Sequence, residues 1–218
     1  MQEGIREAAL KAGRDPSEIT LLAATKYANA AQINALPALG VHDIGENRVQ
    51  ALLEKWDALD KENLRVHFIG SLQKNKVKYI ADKVCMIHSL DSVELAREID
   101  KQCAKHDKVM DVLVEINCAG EESKGGVAPG QALELCQALS QFAHLRLRGF
   151  MTMAPKCPEK EQYYKYFGET FDLCLDIWTK KLHNIDMPMV MSMGMSNSYD
   201  VGIACGSTLV RVGSSLFC

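Results

Sequence analysis

Two basic residues set in apolar, strand-like runs are the positions of this chain best placed to do chemistry. "LLAATK" closes on Lys26, and "TLVRVG" carries Arg211 inside it. Side chains alternate along a strand, so Leu22, Ala24 and Lys26 share one face. By the same count Leu209 and Arg211 share a face, while Val210 and Val212 form the other and belong against a covering layer. An inward arginine is costly unless it meets an acceptor, either a carboxylate of the protein or a ligand. A lysine near a second cation in a partly apolar site has its neutral amine favoured, and the amine is the form that condenses with an aldehyde.

The stretch "SMGMSNSYDVGIACGSTLVRVGSS", residues 192–215, supplies a third function. Ser192, Gly194 and Ser196 follow one apolar run, and Gly213, Ser214 and Ser215 follow the next. Glycine admits a ligand close to the backbone, and free N–H groups with hydroxyls beside them make a neutral cup for phosphate. Ordinary capping by serine would use the same residues. An aldehyde that also carries a phosphate and an acceptor for arginine describes pyridoxal 5'-phosphate.

Positioning these groups requires a scaffold. Strand-like runs at 19–25, 41–45, 65–70, 84–89, 110–117, 145–151, 188–193 and 208–213 alternate with helix-period segments, the pattern of an α/β domain with a parallel sheet. Eight such units in 218 residues predict one compact TIM (β/α)8 barrel over residues 1–218, with an extra N-terminal helix packed on its outside. Closure would lay strand 1 beside strand 8 and make Lys26 and Arg211 neighbours. Barrel sites lie where strands give way to the following loops, with phosphate commonly held after strands 7 and 8. A doubly wound open sheet is the alternative, although no G-x-G-x-x-G follows the first strand.

Composition narrows the function classes. A net charge of -3 gives no attraction to nucleic acid, and no apolar run approaches the roughly 20 residues that span a membrane. The N-terminus is too polar for a signal peptide, so a cytoplasmic protein is expected. Eight cysteines without a C-x-x-C pair are expected to be reduced, small apolar side chains rather than zinc ligands. The lysines of "QKNKVKY" read as a solvated face, and His42, His67 and His88 as core histidines.

Taken in order, "TKY", "GENRVQ", "HFIGSLQKNK", "HSLDSVELA", "GEESKGG", "LRGFMTMAP", "SMGMS" and "GSTLVRVGSS" resemble the motifs of the pyridoxal-phosphate homeostasis proteins. That family's barrel is similar to the N-terminal domain of alanine racemase. The resemblance implies that Lys26 holds the cofactor as a Schiff base, that Arg211 faces the pyridine nitrogen and that Asn47 lies by the ring. It also implies that Met193, Ser196, Gly213 and Ser214 surround ring and phosphate, with no metal. This chain departs at Asn197 and Ser198, where acidic residues are frequent, at Ser214, where threonine is usual, and at Cys218.

Function divides three ways. Arginine at the ring nitrogen weakens the cofactor as an electron sink, and alanine racemases take their second base from a C-terminal β-domain, which is not expected here. A non-catalytic, monomeric protein that stores, buffers or delivers pyridoxal 5'-phosphate, meeting apoenzymes transiently, is therefore expected. A minimal amino-acid racemase is the alternative. A lysine-imine aldolase acting on a phosphosugar leaves Arg211 unexplained. Lys124, in the glycine-flanked loop after strand 5, is a candidate second amine for releasing the cofactor.

Overall fold

The computed structural model describes residues 1–121, 125–182 and 187–217. Eight parallel strands close into a barrel in sequence order: β1 (Thr20–Ala24), β2 (Asp43–Glu46), β3 (Arg65–Phe68), β4 (Met86–Leu90), β5 (Met110–Ile116), β6 (Leu145–Thr152), β7 (Val190–Ser192) and β8 (Leu209–Val212). All eight expected strands are present, and the open-sheet alternative is excluded because β1 pairs with β8.

The helices are α1 (Gln2–Lys11), α2 (Ala30–Asn34), α3 (Val49–Trp56), α4 (Val93–Ala104), α5 (Ala132–Ala138), α6 (Gln162–Asp176), α7 (Tyr199–Ala204) and α8 (Ser214–Phe217). Each longer helix buries one stripe. In α6 the inward residues are Tyr163, Phe167, Thr170 and Cys174, spaced as a 3.6-residue period requires. In α4, Ser92 caps the first turn and Leu95, Ile99 and Cys103 face the barrel. After β3 a 3₁₀ segment, Lys74–Tyr79, replaces an α-helix. Val77 is its inward residue, Ile80 just past its end is buried as well, and Lys74, Lys76 and Lys78 point to solvent.

The extra N-terminal helix lies where expected. Ile5 and Ala9 of α1 pack with Val210 and Val212 of β8 and Ile203 of α7 in a cluster of their own. Those two valines thus face the covering layer, and Leu209 and Arg211 face the barrel interior. The larger apolar core fills the space between the remaining strands and helices. The interior itself is mixed: Met86, Leu113, Met151 and Val190 form a small apolar plug, and Asp43, His67, His88, Glu115, Ser192 and Arg211 are buried there. Among the described residues the cysteines are all free, with Cys103, Cys136 and Cys174 buried. No group of His, Cys, Asp and Glu among those residues could hold a metal, and no described helix is long and apolar enough to cross a membrane.

Candidate functional site

A cavity of about 380 Å³ opens at the C-terminal ends of the strands, lined by Lys26, Asn47, Glu115, Met151, Met195 and Arg211 among others. Lys26 stands in the turn just past β1 and is exposed. Among the described residues its amine makes no hydrogen bond or ion pair, and it lies 4.8 Å from the centroid of the Tyr27 ring.

The turn that carries Lys26 is held from below. Lys55 of α3 donates to the carbonyl oxygens of Thr25 (2.9 Å) and Ala28 (3.0 Å), one on each side of Lys26 and Tyr27. The same ammonium lies 2.5 Å from Glu46 Oε1, which also accepts from the Thr25 hydroxyl at 2.7 Å. Beyond it, Asn29 and Gln32 cap each other across the first turn of α2. This places the free amine at the mouth on a braced segment. Glu46 and Lys55 went unread in the sequence, because only the fold brings α3 under the β1 turn.

Arg211 enters the cavity from β8, 5% exposed, in register with Leu22 of β1. Its Nη1 donates to the Ser192 carbonyl (2.7 Å) and hydroxyl (2.6 Å), and its Nη2 to the Thr152 carbonyl (3.0 Å). Its acceptors are therefore two carbonyls and a hydroxyl, with no carboxylate in direct contact among the described residues. Burial pulls the guanidinium down to about 10, opposed by the charge of Glu115, and it remains a cation at neutral pH.

Glu115, at the end of β5, was not singled out from the sequence. It is 8% exposed and lines the cavity, and its carboxyl makes no hydrogen bond or ion pair among the described residues. Burial pushes its carboxyl up to about 7, with Arg211 pulling it down and Asp91 pushing it further up. Strand alternation in "VLVEI" points it the same way as Leu113, so the signal was available.

Ser214 Oγ donates to Ser196 Oγ at 3.0 Å, so the loops after β7 and β8 meet, and neither serine is in the wall of the cavity. Gly194 adopts φ +92°, and a side chain on Gly213 would come within 2.9 Å of the Ala24 carbonyl. Two residues of this stretch depart from expectation. Ser192 is the last residue of β7 and holds Arg211 inside the barrel instead of joining the cup. Met193 is fully buried in the outer core, and the methionine of this loop that lines the cavity is Met195. Asn47 is in the cavity wall. Lys124 and Cys218 lie outside the described residues.

A family model described as the alanine racemase N-terminal domain matches residues 16–218. A protein of Aquifex aeolicus called "Pyridoxal phosphate homeostasis protein" is 40% identical over 215 residues, 99% of this chain and 93% of that one. The chain belongs to this family. A second member so called, from Pseudomonas aeruginosa, is 37% identical over 98% of this chain and 90% of its own. The PipY protein of Synechococcus elongatus, solved with PLP bound, superposes with a TM-score of 0.84 at 27% identity, covering 98% of this chain and all of that one. The residues present suit such a cofactor: a primary amine and a guanidinium share one small cavity, and a pair of hydroxyls meets on the loops after β7 and β8.

Proposed function

We propose that this chain binds pyridoxal 5'-phosphate at the mouth of the barrel and takes part in intracellular homeostasis of that cofactor. The observation that carries the reading is the shared cavity of Lys26 and Arg211, two cations from strands adjacent only because the barrel closes. Lys26 is the covalent anchor, forming a Schiff base with the aldehyde. Arg211 donates toward the pyridine nitrogen and Asn47 packs beside the ring. Ser196, Gly213 and Ser214 hold the phosphate, with the backbone of Met193 and Gly194 behind them.

When bound, the cofactor supplies a carbonyl carbon open to attack by amines and a ring that can withdraw electrons. The protein limits the second property, because a cationic donor at the ring nitrogen discourages its protonation. Holding and handing over thus fit this site better than chemistry that needs a strong electron sink. We read the protein as a cytoplasmic monomer organised as one barrel over residues 1–218.

A racemase reading gains one observation: Glu115 is a buried carboxyl in the same cavity with no partner among the described residues, able to carry a proton near neutral pH. Loaded protein incubated with single amino-acid enantiomers separates the two readings, since a carrier leaves their optical rotation unchanged. Transfer of cofactor from loaded protein to an apoenzyme, with a scavenger for free aldehyde present, tests delivery directly. Reactivation that the scavenger abolishes would remove delivery from the account.

A further inference from the structure

A line of hydrogen bonds crosses the barrel interior beneath the site. At the N-terminal mouth a cavity of about 710 Å³ is lined by Asp43, Arg65, His67 and Cys85 among others. Asp43 Oδ1 lies 3.0 Å from His67 Nε2, and His67 Nδ1 lies 2.9 Å from His88 Nε2. His88 Nδ1 lies 3.1 Å from Ser192 Oγ, which accepts from Arg211 Nη1 at 2.6 Å. His67 opens on the basal cavity and Arg211 on the upper one. All five side chains are buried.

We propose that Asp43, His67, His88 and Ser192 form a relay in which gain or loss of one proton at His67 reverses the Ser192 hydroxyl and resets its hold on Arg211. The directions follow from which atoms can donate. An ionised Asp43 only accepts, so His67 keeps a proton on Nε2 in either state. With His67 protonated, its Nδ1–H donates to His88 Nε2, which must then be the bare nitrogen. His88 carries its proton on Nδ1 and donates to Ser192 Oγ. That oxygen receives two donors, and its own proton has no partner among the described residues.

When His67 gives up one proton to solvent, its Nδ1 becomes an acceptor. His88 must then present Nε2–H to it and accept through Nδ1. The Ser192 hydroxyl turns to donate to His88, and an oxygen that donates while it accepts binds its own donor, Arg211, more strongly. Loss of the proton also removes a cation from the barrel interior. His88 and Ser192 are thus positioning residues that act through Arg211.

The charged surroundings favour this assignment of the proton. Burial alone would push His67 down, but Asp43 and Cys85 beside it raise it to about 9. His88 is driven well below the usual imidazole range by burial and by the charges of His67 and Arg211, so it stays neutral. Asp43 is shared with Arg65, and Glu115 faces Arg211 from β5.

The test reads histidine ring nitrogens by two-bond proton–nitrogen correlation in the cofactor-free, ¹⁵N-labelled full chain as pH rises from neutral to strongly alkaline. The relay requires that His88 change from the Nδ1–H to the Nε2–H form at the midpoint at which His67 loses its proton. In Asp43→Asn that shared midpoint falls by roughly 1–3 pH units. A His88 tautomer that never changes, or changes at a different midpoint, overturns the relay.

The link to Arg211 rests on the proposed cofactor and is read separately. With pyridoxal 5'-phosphate added, the visible band of wild type moves at the His67 midpoint. Ser192→Ala keeps the histidine transitions and loses the band movement, and Ser192→Thr restores it. Identical band movement in Ser192→Ala refutes the link. Absence of any band in wild type speaks against the cofactor reading, and the histidine spectra still decide the relay.

Discussion

Lys55 Nζ lies 2.5 Å from Glu46 Oε1 and also donates to the backbone on both sides of Lys26, so a buried ion pair anchors the turn that carries Lys26. Glu46 is 2% exposed in its side chain and Lys55 16%. Removing one partner leaves the other charge buried, at a cost of roughly 3–5 kcal/mol. Lys55→Met is therefore expected to lower the urea midpoint strongly and to slow cofactor capture. An unchanged midpoint would show that the turn is held by other contacts.

Glu115 gives stability a dependence on pH. Its carboxyl is raised from 4.5 to about 7 in the folded chain, so the folded state keeps a proton that the unfolded state has lost between those values. Stability present below pH 4.5 is lost as pH rises through 7, an effect on the order of 3 kcal/mol. Glu115→Gln carries no such charge. Its melting temperature relative to wild type should rise between pH 5 and pH 8, about the range of that titration. A constant difference across the range contradicts the assignment.

The two groups at the basal mouth have opposite windows. Asp43 is lowered from 3.8 to about 2: burial alone would raise it, and hydrogen bonds from His67 and Arg65 outweigh that. Its contribution is present above 3.8 and lost as pH falls through 2. His67 is raised from 6.5 to about 9, so its contribution is full below 6.5 and lost as pH rises through 9. The stability difference between wild type and Asp43→Asn should therefore be largest at pH about 4–6.5 and shrink in strong alkali. Thermal melts across that range check it.

Much of this was legible from alternation alone. "TLVRVG" fixes the direction of Arg211 because two valines need apolar cover, and α1 and α7 provide it. Eight apolar runs sufficed for the barrel, since parallel strands bury both faces. Alternation also explains Met193: in β7, Val190 and Ser192 face inward, so Met191 and Met193 point to the helices. What one sequence does not display is pairing across distance. His88 and Ser192 are 104 residues apart, and only closure of the barrel turns two core histidines into part of a chain ending at Arg211.

Ser196 and Ser214, whose hydroxyls meet at 3.0 Å, are the two side-chain donors that the proposed phosphate site uses. A hydrogen bond to a charged group contributes about 1.5–3 kcal/mol. Ser196→Ala and Ser214→Ala should each weaken binding about 10- to 150-fold by titration of the cofactor into apoprotein. Normal binding by both variants would assign the phosphate to backbone amides alone.

The covalent role of Lys26 is the centre of the account, and borohydride reduction of the protein mixed with pyridoxal 5'-phosphate tests it most directly. Peptide mass mapping should find one reduced adduct, on the peptide that contains Lys26. Lys26→Ala should lose that adduct while keeping the wild-type circular dichroism, because an exposed mouth residue contributes little to the core. A reduced adduct that persists undiminished in Lys26→Ala, or that maps to another lysine in wild type, contradicts the account.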